Sequence, residues 1–283
     1  MASTNAVQPS LIAVADSRRA TRRTAWYAGQ ALIAPLILIV VWQIVTTLFP
    51  SPFFPPPLRI IEAGYQQWFS GPLILTQEFF ENVLPSLGRL LLGWLIACAL
   101  GIGLGLAIGL QRWLGDYISP IVEFVRSIPP PAYLPIFLVL LGGDWEARVL
   151  FIAFGLVWYV MINTISGVAS VDSLQRETAR AFRIHPFRRV SMIVLPAALP
   201  QIFSGVRYAL SGALILMVVS ELMFASNGVG YELIQSQRTF AIVDMWSAMF
   251  LLGLLGYGLN VCLQVFENRV LSWHIRSRKL DKE

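Results

Sequence analysis

The chain has 283 residues, of which 56% are hydrophobic and 13% charged, and its mean hydropathy is +0.66. An ordinary soluble domain carries roughly 25% charged residues, and the apolar residues here are gathered into runs rather than scattered, so a water-soluble globule is excluded. The 21 Lys+Arg against 16 Asp+Glu leave a net charge of +5; such an excess fits either a nucleic-acid surface or the flanks of membrane spans, and where the charges sit decides between them.

A bilayer core requires about 20 mostly apolar residues in helix, and charged residues divide the sequence at that interval. The uncharged stretch 24–58 holds a first span at about 26–48, and 90–111 gives a second. A third, at about 118–142, carries Glu123 and Arg126 and is interrupted by Pro129-Pro130-Pro131. The run 149–171 gives a fourth, 200–224 a fifth with Arg207 and Glu221, and 245–266 a sixth. Between the first two, Phe49 to Pro57 is too rich in proline for a helix, and a short amphipathic helix follows at 58–69. The first run is too long for a signal-peptide core and has no small-residue cleavage site after it. No internal repeat of the inverted kind is visible.

The basic residues orient this pattern. Arg18, Arg19, Arg22 and Arg23 precede span one, and Arg112 follows span two. Arg176, Arg180, Arg183, Arg188 and Arg189 lie between spans four and five, and Arg269, Arg276, Arg278, Lys279 and Lys282 follow span six. With six alternating spans all of these fall on one side, leaving Arg59, Arg148 and Arg238, with Arg89 near the edge, on the other. The positive-inside rule then places both termini in the cytoplasm. The expectation is an all-α polytopic membrane bundle of six transmembrane helices. Residues 1–24 form a basic cytoplasmic arm, 25–268 the membrane domain and 269–283 a basic tail.

The segment 172–196 is too polar to span and rich in helix formers. Asp172 or Ser173 can cap a short helix running to about Ile184, with Pro186 ending it and Pro196 and Pro200 bracketing the entry to span five. Its Glu177-Thr178-Ala179 and Ile193-Val194-Leu195-Pro196 resemble the EAA, three residues, G, nine residues, I-x-L-P signature of binding-protein-dependent ABC importer permeases. Two positions depart: Thr178 stands for the first Ala, and Arg183 for the Gly that permits a left-handed turn. Arg126-Ser127-Ile128-Pro129-Pro130 with Ala132 and Pro135, Leu195-Pro196 through Arg207, Ser220-Glu221, Gly228-Val229-Gly230-Tyr231 and Trp273-His274 are similar to the nitrate/sulfonate/taurine type. The resemblance covers about residues 50–275.

The resemblance implies a permease subunit in the bacterial inner membrane that forms the translocation pathway for a small anionic or zwitterionic solute. Sulfonates, taurine, nitrate and bicarbonate fit, with a thiamine-type pyrimidine as the alternative solute. It also implies a second permease copy, two ATP-binding subunits carrying the ATP and Mg, a periplasmic or lipid-anchored solute-binding protein, and surrounding lipid. The chain has no G-x-x-x-x-G-K-[ST], so energy must come from a separate ATPase. Glu177, Thr178, Ala179, Arg180, Ala181, Arg183, Ile193, Leu195 and Pro196 are the expected ATPase-coupling residues. Ala179 and Ala181 allow close approach, while Glu177 and the arginines pair with charges around a docking groove.

Within the spans, Arg126, Pro129, Pro130, Asn163, Ser211, Ser220 and Glu221 are pathway or gate candidates, because polar and broken-helix positions at membrane depth face protein or water. Each has a plainer reading. Glu123 and Arg126, three apart on a helix, form a local ion pair at the inner interface. Asn163, Thr164, Ser166, Ser204 and Ser211 either hydrate a solute or join helices. Glu221 pairs with a basic residue of another span or lines a gate, or else lies hydrated at the headgroups. Gly101, Gly105 and Gly109 lie four apart and make a face for close helix packing, as do Gly205, Ala209 and Ala213. Trp26, Trp68, Trp246 and Trp273 read as an interfacial belt, and Cys98 and Cys262 as small buried hydrophobes.

Histidine supplies only His185 and His274, with no second ligand at metal spacing, so no metal site is expected, and no nucleic-acid partner is expected because the basic excess marks the cytoplasmic ends of spans. No nucleophile–base pair or acidic dyad supports a membrane enzyme. The remaining rival is an ion-gradient-driven secondary transporter, which needs no ATPase-docking signature.

Overall fold

A computed structural model describes residues 33–272, except Leu73, Asp144, Phe224 and the side chain of Arg112. The basic arm (Arg18, Arg19, Arg22, Arg23), Trp26, the Trp273-His274 pair and the tail's Arg276, Arg278, Lys279 and Lys282 lie outside the described residues. The chain divides into two compact units, one up to Glu62 and one from Ala63 onward.

The first unit holds α1 (Ile33–Leu48), whose apolar side chains are exposed along its length. A tight Ser51–Phe54 bridge follows, and the Leu58 amide donates to Gln43 Oε1 at 3.1 Å. The expected first span, 26–48, is therefore described only from Ile33. The amphipathic helix expected at 58–69 is α2 (Pro57–Phe69), opened by a proline with no N–H to satisfy.

The second unit is built from α3 (Leu84–Leu110), α4 (Arg112–Ser127), α5 (Leu134–Leu141), α6 (Trp145–Ala169), α7 (Ser173–Ala181), α8 (Pro186–Arg189), α9 (Leu195–Leu222), α10 (Val229–Arg238) and α11 (Ile242–Val270). Among the described residues, four helical runs are long and apolar enough to cross a bilayer: Phe79–Leu110, Trp145–Ala169, Pro186–Leu222 and Ile242–Val270. The third expected span is not one helix. Trp113–Ser127 and Pro130–Leu141 meet at 87°, a broken span or a re-entrant loop. The cause is local: Pro129, Pro130 and Pro131 supply no N–H to the ladder, and a short 3-10 turn, Pro130–Tyr133, fills the corner. Tyr133 Oη donates across the break to the Val125 carbonyl at 2.6 Å.

A π turn directly precedes α3 and another directly precedes α9, Phe79–Val83 and Val190–Val194, each followed by Leu-Pro. The Leu84 and Leu195 amides bond five residues back, to Phe79 and Val190, and the prolines at 85 and 196 come next. The wide turn absorbs the donor that proline lacks.

The core is α6, packed between α3 and α9. The α3 face carries Gly93, Ala97, Gly101, Gly105 and Gly109, one every four residues. A Cβ added at Gly101 would lie 2.7 Å from Val160 Cβ, at Gly105 2.5 Å from Thr164 Cβ and at Gly109 2.9 Å from Val168 Cβ. The two backbones therefore meet where only hydrogen fits. On the other side, Gly205 of α9 meets Asn163, and Ala209 and Ala213 are fully buried.

Two readings of single residues are corrected. Trp68 is not in an interfacial belt: it is 1% exposed, and its indole donates to Ser247 Oγ at 3.0 Å. Cys98 is buried but Cys262 is exposed. In a span, an apolar neighbourhood in sequence marks membrane depth and does not say whether a side chain faces protein or lipid.

Candidate functional site

The loop between α6 and α9 folds as its residues dictate. Asp172 caps α7, its Oδ1 accepting from the Leu174 amide at 2.9 Å. The helix stops at Ala181, short of Ile184, and Pro186 is not what stops it. The Ile184 amide reaches back to the Ala179 carbonyl (3.0 Å) and the Arg183 amide to that of Arg180 (2.9 Å). This is the Schellman pattern, and its left-handed residue is Arg183, at φ +49°. Arg183 thus takes the conformation that the signature's usual Gly would take, at the steric cost of a Cβ. Pro186 instead opens α8, capped by His185 Nδ1, which accepts from the Phe187 amide at 3.4 Å.

Glu177, Thr178, Arg180 and Arg183 are exposed on this loop, whereas Ala179 is 1% exposed and faces inward. Leu174, Phe182 and Phe187 are exposed beside the arginines. Ile193 is half-buried, and Leu195 and Pro196 begin α9. Arg176 is not free in solvent: its Nη2 donates to the Val168 carbonyl and, at 3.2 Å, to that of Ala169. Sequence reasoning placed it among five equivalent loop arginines, and no local signal separates it.

Facing residues of α6 and α9 form a second feature. Tyr159, Asn163 and Ser166 recur at helical spacing on α6, and Gln201, Ser204, Tyr208 and Ser211 on α9, all exposed or half-buried. Gln201 Nε2 donates to Asn163 Oδ1 at 3.2 Å. Of these, Tyr159, Gln201 and Tyr208 were missed, although a polar residue every third or fourth position in an apolar helix is a legible signal. Thr164 does not join the stripe: it is fully buried and donates to the Val160 carbonyl at 2.8 Å.

Arg126 lines a recess of about 310 Å³ with Asp116, Ser119, Glu123 and Ser166. Among the described residues no ion pair joins Glu123 to Arg126. Both side chains are exposed, where a single ion pair gains too little to hold two long chains together. Pro129 and Pro130 form the corner above; Pro130 Cβ lies 3.4 Å from where a Gly155 Cβ would be.

The third feature lies at the end of the bundle opposite the loop, around Glu221. This carboxylate is 0% exposed and holds Arg89 Nη1 at 2.6 Å, so it is paired across helices and not hydrated at the headgroups. Ser86 Oγ donates to it at 2.8 Å, and the Gly230 amide at 3.0 Å. Asn82 Oδ1 accepts from the Gly228 amide and Ser86 Oγ from that of Val229, both at 2.9 Å. The first amides of α10 are thereby capped by side chains of two other elements. Gly228 has φ +122°, and a Cβ there would fall 2.4 Å from the Glu221 carboxyl carbon, so only glycine fits. Ser220 is fully buried; its carbonyl and that of Met223 accept from Arg148. Asn82, Ser86, Arg89 and Asn227, whose carbonyl accepts from Arg89 Nη1 at 3.2 Å, were missed as members of this node.

The bent pair α4–α5, the proline-led α9 and a buried carboxylate beside a Gly-x-Gly helix start define a class of membrane protein. The family of binding-protein-dependent transport system inner membrane components matches residues 99–272, and the chain belongs to it, as the permease subunit of an ABC importer. SsuC of Bacillus subtilis, named as an aliphatic sulfonates transport permease protein, is 30% identical over 254 residues, covering 89% of this chain and 89% of that protein. The taurine transport system permease protein TauC of Escherichia coli is 29% identical over 246 residues, covering 84% and 87%. The nitrate import permease protein NrtB of Synechocystis is 29% identical over 249 residues, covering 84% and 88%. Among solved structures, the MetNI methionine ABC transporter in inward-facing conformations shares the fold. Its TM-score is 0.59 at 19% identity, covering 67% of this chain and 94% of that one.

Proposed function

We propose that this permease forms the translocation pathway for a small anionic or zwitterionic solute of the sulfonate, taurine, nitrate or bicarbonate class, driven by a separate ATPase. Two copies pair, each docking one ATP-binding subunit, and a solute-binding protein delivers the cargo. ATP and Mg belong to the partner subunits.

The observation that carries the reading is the loop of α7 and α8. A short capped helix, closed by a left-handed turn, carries exposed Glu177, Arg180 and Arg183 among exposed Leu174, Phe182 and Phe187. A charged rim around apolar side chains is what a groove on another protein recognises. The polar stripe of Asn163, Gln201, Tyr208 and Ser211 supports a pathway along α6 and α9, since uncharged donors and acceptors replace the hydration of a small polar solute without trapping it. Arg126, Pro129 and Pro130 then belong to the same route, at the bent element, while Ser220 and Glu221 fix the helix end that bounds it. Gly101, Gly105 and Gly109 hold the scaffold.

The test is uptake in liposomes holding the chain with its ATPase and binding protein, with taurine and nitrate as probes. Glu177→Arg and Arg180→Glu are expected to keep membrane insertion and lose ATP-driven uptake. Normal uptake in both variants overturns the docking role, and uptake by the permease alone under an ion gradient overturns the ABC reading.

A further inference from the structure

At its C-terminal end α6 leaves four carbonyls without helical partners, and the structure accounts for all of them. The Ser166 carbonyl accepts from the Ser170 amide (3.0 Å) and that of Gly167 from Ser170 Oγ (2.8 Å). The Val168 carbonyl takes the Val171 amide (3.4 Å) and Arg176, and the Ala169 carbonyl takes Arg176 alone among the described residues, at 3.2 Å. A guanidinium at this position also meets the negative end of the α6 dipole.

Ser170, Val171 and Asp172 are the whole covalent link between α6 and α7. A three-residue link leaves several free dihedrals, so by itself it is a hinge. Arg176 adds a second fastening one turn into α7, and Val171 (5% exposed) and Ala179 (1% exposed) are buried on the same side. Two points of attachment remove the rotation that one permits. The other end of α7 is different. It leaves through the left-handed turn at Arg183, the four-residue α8 and a π turn, with Phe182, Phe187 and Met192 exposed. One joint is clamped and the other is open.

We propose that Arg176 is a positioning residue that makes α6 and α7 one rigid lever, so that displacement of α7 is delivered to α6 while the joint toward α9 yields. This rests on the reading of α7 as the ATPase-docking helix.

The test uses the complete complex with its ATPase and binding protein, spin-labelled at Leu150→Cys on α6 and Gln175→Cys on α7, with Cys98→Ser and Cys262→Ser. In the parent, the label–label distance distribution is narrow and unchanged on trapping with ATP and vanadate. In Arg176→Ala it broadens or shifts on trapping, and Arg176→Lys, which keeps a charged donor, restores it. Vanadate-sensitive uptake per ATP hydrolysed, with taurine and nitrate as probes, falls about tenfold in Arg176→Ala, the scale of one lost charge-assisted hydrogen bond. A distribution as narrow in Arg176→Ala as in the parent overturns the proposal. If that variant does not assemble, Arg176→Gln is read the same way, and if neither assembles the contact is a folding requirement and the proposal falls. A second pair, Leu150→Cys with Met192→Cys, reports on the underlying reading. If trapping moves that pair in no variant, it is the docking of α7 that fails, and Arg176 is judged on the width of the first pair.

Discussion

Arg89 and Glu221 stand 132 residues apart in sequence and 2.6 Å apart in space, with the Glu221 carboxylate wholly enclosed. Removing one partner of a buried pair leaves an uncompensated charge, which costs about 3–5 kcal/mol, whereas replacing both by apolar residues of similar volume is near neutral. Arg89→Met and Glu221→Leu are each expected to lower the melting temperature of the purified permease sharply. The double variant recovers most of the loss in Tm. A double variant no better than either single one shows that the pair has no mutual dependence.

Arg183 gives a prediction of the opposite sign. A non-glycine residue in the left-handed region carries roughly 1–2 kcal/mol of steric cost. Arg183→Gly is expected to slow hydrogen exchange at the Arg183 and Ile184 amides, and Arg183→Val to speed it. Equal protection in the three proteins contradicts the assignment of strain to this residue.

Neighbouring glycines of α3 separate packing from propensity. Gly105→Ala forces a Cβ to 2.5 Å from Thr164, while Gly103 has nothing within 4 Å of an added Cβ. Overpacking of this kind costs about 1–3 kcal/mol, whereas Gly→Ala in an open helical position gains roughly 0.5–1 kcal/mol. Thermal melts of the two variants should move in opposite directions.

Glu232 lies on α10, outside the four spans, with its carboxyl held above the ordinary range by burial first, then by the Glu78 charge. A hydrogen bond from Ser236 pulls it down, and Asp244 adds a smaller push upward. A carboxyl whose folded value is raised binds its proton more tightly folded than unfolded, so stability rises as pH falls through the folded value. That gain is complete below the unfolded value. Glu232→Gln should therefore melt higher than the parent at neutral and alkaline pH, with the gap closing in mild acid. A pH-independent gap assigns the effect to something other than this charge.

How far the molecule was legible in its sequence depends on the range of the forces involved. The spacing from Glu177 to Pro196 is local chemistry, so the capped α7 and the Leu-Pro entry to α9 could be read directly, whereas the left-handed turn at Arg183 was hidden by the missing glycine, and Pro186 was given the role of ending the helix. The corner at Pro129–Pro131 was visible as a break, because proline removes donors wherever it stands, but its 87° bend depends on the Tyr133 contact and on packing. Glu221 announced itself as a carboxylate in an apolar run. Its partners Arg89, Ser86 and Asn82 did not, since an arginine near a span end reads first as an orientation signal. Arg176 was hidden by the same ambiguity. Cys262 was misplaced because, inside lipid, hydrophobicity no longer tells the inside of a protein from its outside, and Trp68 because its partner Ser247 is 179 residues away in sequence.

The glycine face of α3 limits which movements the bundle permits. The residues entering its notches are Ile152, Val160, Thr164 and Val168, every one β-branched and stiff at its first side-chain torsion. Sliding α6 along α3 by one turn, about 5.4 Å, would lift four inflexible teeth out of their sockets together. The two helices are geared to move together, whereas α9 and α11 meet along a sparser seam that leaves them freer to shift against each other.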